Sequence, residues 1–160
     1  MHRLLAALAV ALALLGAGRD GFDDWIARTD LPALVVPVGT EVVARDGSLL
    51  RAFPVADGRW RLAPGPVDPA YLRLLIAFED RRFYDHAGVD PRAVLRAAWQ
   101  GLRAGRIISG ASTLSMQVAR LLEAGPTGTL RGKFRQARVA LALERHLTKA
   151  QILDLYLRLA

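Results

Sequence analysis

The chain opens with Met1-His2-Arg3 and then an apolar run from Leu4 to Gly16, closed by Arg19 and Asp20. A short basic start before an apolar stretch is an export pattern. At ~1.5 Å per residue the run is shorter than a ~30 Å hydrocarbon core. It predicts a signal peptide or a short signal-anchor over residues 1–19, with Arg3 inside and the rest outside. Asp23, Asp24, Asp30 and Pro32 then mark a linker. From Thr40 the pattern turns to β. Glu41–Arg45 and Ser48–Phe53 flank Asp46-Gly47, which predicts a hairpin with a tight two-residue turn. Ala56-Asp57-Gly58 marks a second turn, and Arg59-Trp60-Arg61-Leu62 a short third strand. Pro64, Pro66 and Pro69 close this region, so residues 20–63 form a linker and hairpin unit.

The rest has helical spacing. Asp68-Pro69 and Asp90-Pro91 each pair an N-cap with Pro at the first helical position. Leu72, Leu75, Ile76 and Glu79 follow the first. Val94, Leu95, Ala98 and Leu102 follow the second, up to Gly105. Ser112 is placed to cap a helix carrying Leu114, Val118, Leu121 and Leu122. Gly125-Pro126 and Gly128 break the chain before a helix from Leu130 to His146, with Phe134, Ala137, Leu141 and Glu144 on a shared side. Thr148-x-x-Gln151 is a capping box for a last helix with Ile152, Leu153, Tyr156 and Leu157. That stripe has no stop signal at Ala160, so the chain is expected to be cut within a longer domain.

Composition narrows this picture. Apolar residues make up 52% of 160 and charged ones 23%, which excludes wholesale disorder. There is no Cys, hence no disulfide, thiolate metal site or Cys nucleophile. The net charge of +7 is uneven: residues 1–91 carry 10 Arg and 12 Asp+Glu, whereas residues 92–160 carry 12 Arg+Lys and 3 Asp+Glu. The second part therefore suits an anionic partner.

Three polar clusters could do chemistry. Glu79-Asp80-Arg81-Arg82-Phe83-Tyr84-Asp85-His86-Ala87-Gly88 follows an apolar helix, and a carboxylate at such a boundary is placed for acid/base work. Its plainer reading is a loop of internal ion pairs. Gly110-Ala111-Ser112-Thr113-Leu114-Ser115-Met116-Gln117 offers backbone N–H groups at a helix start to a phosphate or sugar, and Arg120 lies on the face of Gln117. Arg131, Lys133, Arg135, Gln136 and Arg138 make one basic side that could clamp a diphosphate. A nucleic-acid backbone would fit the same charge, but aromatic residues are not interleaved there, which counts against single-strand stacking. His2, His86 and His146 lack metal-ligand spacing. Mg²⁺ or Mn²⁺ held by substrate phosphates, with Glu79 and Asp80 as candidate ligands, is the cofactor expectation.

Taken together, the clusters resemble a known family. Glu79-Asp-x-x-Phe83-x-x-His86-x-Gly88 resembles the first motif of the peptidoglycan glycosyltransferases, the transglycosylase domain of class A penicillin-binding proteins (glycosyltransferase family 51). Gly110-x-Ser112-Thr113-Leu114-Ser115-Met116-Gln117 resembles the second motif. Lys133-x-x-Gln136, with Arg131 before it, sits where the family has Arg-Lys-x-x-Glu, and Ile152–Leu157 resembles the fourth motif. Met116, Gln136 and the hairpin are most similar to the 1C-type branch. Gln136 in place of Glu and Arg158 in place of the usual Asn are departures. An amide cannot act as a base, which leaves Glu79 as the carboxylate candidate.

The resemblance implies a mainly α, lysozyme-like fold with a short N-terminal β-hairpin and a membrane segment. Residues 64–160 would be a partial glycosyltransferase domain, without the transpeptidase domain. It implies polymerisation of lipid II into glycan strands at the outer, periplasmic side of the bacterial inner membrane, with other cell-wall synthesis proteins as possible partners. Glu79 would be the general base. Asp80, Phe83, His86, Gly110, Ser112, Thr113, Gln117, Arg120, Arg131, Lys133 and Gln136 would bind substrate. A lysozyme-like lytic hydrolase, an inactive fragment that binds lipid II or anionic membrane, and a basic nucleic-acid module are the alternatives.

Overall fold

The computed structural model describes residues 2–61, 65–105, 110–123 and 129–160. Residues 1–30 form one compact unit and residues 31–160 another. The first unit is a single helix, α1 (His2–Ala27). It does not stop at Arg19 as the charge pattern suggests. Arg19–Asp23 and Arg28–Asp24 ion pairs at i,i+4 spacing continue it through the acidic stretch. Among the described residues no helix is long and apolar enough to cross a membrane. The membrane segment is therefore not borne out by the helix itself.

The second unit begins with an antiparallel hairpin of β1 (Thr40–Val43) and β2 (Leu49–Phe53). Its turn is longer than the expected two residues. A two-residue type I′ turn needs positive φ at both positions, and only Gly47 (φ 83°) has it. The loop is instead Arg45-Asp46-Gly47, closed by the Ala44 N–H to Ser48 carbonyl bond (2.8 Å). Asp46 accepts from the Ser48 hydroxyl and N–H, which holds its carboxyl below the usual range. The Asp57-Gly58 turn forms, with Arg61 paired to Asp57. Among the described residues the third strand does not form: the sheet has two strands, and Arg61 meets the chain just before β1 through the Gly39 N–H to Arg61 carbonyl bond. Leu62 lies outside the described residues.

Among the described residues five α-helices follow, α2 (Pro69–Glu79), α3 (Pro91–Ala104), α4 (Leu114–Leu122), α5 (Leu130–His146) and α6 (Lys149–Leu159), with a short 3-10 turn at Phe83–Asp85 between α2 and α3. Asp68 and Asp90 cap α2 and α3 through backbone N–H groups two residues on, and both members of the Thr148/Gln151 box are present. Thr113 caps α4, not Ser112, because the Thr113 hydroxyl meets the Met116 N–H. The Gly125–Gly128 break falls outside the described residues. A mainly helical domain with a two-stranded hairpin thus matches the expected class.

The core is the contact of α4 with α5 and α6. Leu114, Val118, Val139, Leu143, Ile152 and Leu155 are buried around Phe83, which has no exposure. The apolar side of α3 takes no part in it. Leu95 is 71% exposed and Leu102 81%, and only Ala93 is buried on that helix. Gly88 is fixed by close approach. It has φ 96°, and a Cβ there would stand 2.6 Å from the Ala140 carbonyl oxygen. Gly88→Ala is expected to cost about 2–3 kcal/mol in urea unfolding. Gly65→Ala, in open space, should be nearly neutral. Equal losses would show that α5 does not pack on this loop.

Candidate active site

Glu79 is the last residue of α2, where the chain turns out of the helix. The residue is exposed, and its Oε2 accepts from Gln117 Nε2 at 2.9 Å. The first and second motifs therefore meet through side chains 38 positions apart. Beneath this pair, Asp80 is buried and binds in two directions. Its oxygens face His86 Nε2 at 3.1 Å, and Oδ2 accepts the Leu114 N–H at 3.0 Å. That N–H is one of the orphan donors at the start of α4. The His86 bond requires the proton on Nε2, since a carboxylate only accepts. Phe83 stands edge-on to the His86 ring. Thr113 is buried and donates to the Gly88 carbonyl at 2.5 Å, joining the two motifs a second time.

The basic side is assembled from two helices. Lys133 on α5 donates to Ser112 Oγ at 2.7 Å. The ammonium is partly shielded from water, and this shielding, with Arg120 nearby, holds Lys133 below the usual lysine range. Two cations are thus kept close together, an arrangement that favours an anion between them. Arg131 is exposed on the first turn of α5 and Gly110 on the approach to α4, where Arg96 donates to its carbonyl. Arg135, by contrast, pairs with Glu123 at 2.8 Å. Gln136 is buried and faces the core side of α5.

Next to Ser112 and Lys133 lies an apolar cavity of about 830 Å³, lined by Val94, Leu102, Met116, Leu130 and Phe134 among others. The exposed side of α3 forms one of its walls. Phe134, expected on a packed side, is 72% exposed at its rim.

The structure brings Glu79, Gln117, Ser112, Arg120 and Lys133 to one surface. Asp80, Phe83, His86, Thr113 and Gln136 lie below it. For a divalent cation the fit is poor at Asp80, whose two oxygens are both engaged and buried. No cluster of three or more His, Cys, Asp or Glu suited to a metal occurs among the described residues. Sequence reasoning passed over Tyr156, taken as part of an apolar stripe. It is half-buried, and burial together with the Glu79 charge pushes its hydroxyl above the usual range. The Glu144–Lys149 pair also escaped notice, although a cation at a helix start and an anion near a helix end both oppose the helix dipole.

The closeness of the two cations is open to measurement. The Lys133 ammonium, followed by its Cε shift, should titrate below 10.5, because burial and Arg120 both disfavour the charged form. Arg120→Gln should return it part of the way. An unmoved Lys133 in that variant would separate the two groups.

The transglycosylase family model matches residues 47–160. Penicillin-binding protein 1C of Escherichia coli is 53% identical over 132 residues, covering 81% of this chain. Penicillin-binding protein 1A of the same organism is 36% identical over 94% of the chain, and that of Aquifex aeolicus 35% over 76%. The chain spans 17%, 18% and 16% of those relatives' lengths. The matched region holds every site residue described above, and the chain belongs to the transglycosylase family, as a transglycosylase domain of the class A penicillin-binding protein type.

Proposed function

We propose that the protein is a peptidoglycan glycosyltransferase that polymerises lipid II. The observation that carries this reading is the order of groups along one surface: a carboxylate, then two cations, then an apolar cavity. That order matches a sugar, a diphosphate and a hydrocarbon chain in one substrate. A hydrolase acting on finished glycan has no use for the last two.

Glu79 acts as general base. Its carboxylate takes the proton of the acceptor sugar 4-hydroxyl as that oxygen attacks the donor anomeric carbon. The bond from that carbon to the diphosphate oxygen breaks, with inversion, and the diphosphate leaves with the electron pair. Lys133, Arg120 and Arg131 neutralise charge that grows as the bond breaks, so they favour the transition state over the bound substrate. Gln117 holds the Glu79 carboxylate through one oxygen and leaves the other for the hydroxyl proton. Ser112 orients Lys133. Gln136 is buried and supplies no charge. Any Mg²⁺ or Mn²⁺ would enter with the substrate's own diphosphate, since Asp80 has no oxygen to spare. The exposed apolar side of α3, with Arg92, Arg96 and Arg103 on the same helix, suits a substrate drawn from the outer face of the cytoplasmic membrane.

The test uses the protein made from its complete reading frame, with lipid II as substrate. Glycan strands should form, and Glu79→Gln should lower the rate at least about 100-fold. Binding of lipid II by that variant should stay within about threefold, because an amide still meets Gln117. Release of soluble muropeptides from finished glycan, without consumption of lipid II, would make the protein a lytic hydrolase instead.

A further inference from the structure

Below the site a second polar group ties the same elements together. Lys149, on the first turn of α6, donates from one ammonium to the His86 carbonyl and to Glu144 Oε1, both at 2.6 Å. The same nitrogen sits 4.4 Å from the centre of the Phe83 ring. Two of its three N–H groups are thus taken by acceptors within the protein. Glu144 Oε1 also accepts from the Ser115 hydroxyl at 2.6 Å. Its side chain is 6% exposed and that of Lys149 21%.

The placement of these charges is costly. A cation in the first turn of α6 and an anion in the last turn of α5 each oppose the local helix dipole. Ordering a lysine side chain gives up about 2 kcal/mol of rotamer entropy. Buried ion pairs are also weak evidence for stability, because desolvation offsets their attraction. What the pair does supply is geometry. It joins α4 at Ser115, α5 at Glu144, α6 at Lys149 and the 83–86 loop at both Phe83 and His86. The His86 ring holds Asp80, which directly follows Glu79, while Gln117 on the α4 side holds Glu79 itself.

We infer that Lys149, through Glu144 and the His86 carbonyl, is a positioning residue that sets where the Glu79 carboxylate stands. The inference rests on the reaction proposed above only for its kinetic readout. Lys149→Met keeps the length of the side chain and its contact with Phe83 but removes every donor. In the full protein it should lower kcat about 30- to 100-fold, as a misplacement near 1 Å does, with KM within about threefold.

A stability effect is separated by Lys149→Met combined with Glu144→Gln. That pair of changes removes the stranded carboxylate and keeps an acceptor for Ser115. Its melting temperature should recover toward wild type while kcat stays low. Recovery of kcat along with the melting temperature would overturn the positioning role. Amide exchange gives a readout free of activity. Lys149→Met should speed exchange at Phe83 and Asp85, whose N–H groups close the loop on Asp80 and Arg82, and at Leu114 on Asp80. If the wild-type protein does not polymerise lipid II, the reaction falls and these amides alone decide the clamp. Unchanged exchange would overturn it.

Discussion

One buried carboxylate holds the site together. Asp80 satisfies the His86 ring and a free N–H at the start of α4, and so joins two stretches of chain 34 residues apart. A buried charge without partners would be expensive, by several kcal/mol after relaxation. With a ring N–H and a helix N-terminus facing it, the same charge becomes a fixed point. The helix end also gains, because one of its orphan donors is met from inside the protein. Glu79 precedes Asp80, and Gln117 lies one turn along α4 from Leu114. Their 2.9 Å contact at the surface is a consequence of the bond below it.

From that fixed point the chemistry of the surface follows by position. Thr113 and Gly88 lock the start of α4 against the loop, and the tight packing of Gly88 on Ala140 brings α5 alongside. This in turn delivers Lys133 to Ser112. The apolar cavity exists because α3 leaves its hydrophobic side outside the core. Carboxylate, cations and cavity are therefore products of one packing arrangement.

Much of this was legible in the sequence, and the exceptions have physical causes. Caps at Asp68, Asp90, Thr148 and Gln151 are local signals, and each appears where its residue type stands. Glu79 and Gln117 were singled out by residue type within motifs, but their contact depends on tertiary packing that no spacing reveals. The Asp46-Gly47 turn was misjudged by one residue because the sequence does not say which φ angles are positive. The face of α3 was correctly apolar, yet periodicity cannot tell a core face from one left open. Tyr156 and Lys149 were missed for the same reason: their meaning comes from Glu79 and His86, which lie more than sixty positions earlier.

In the proposed reaction Asp80 acts through Glu79. A double-mutant cycle on the polymerisation rate tests it directly, using Asp80→Ala, Glu79→Gln and both together. A large loss is expected for Asp80→Ala when Glu79 is present, and less than about a threefold further loss when it is already Gln. The same fold loss in both backgrounds would contradict it, and would make Asp80 an independent contributor.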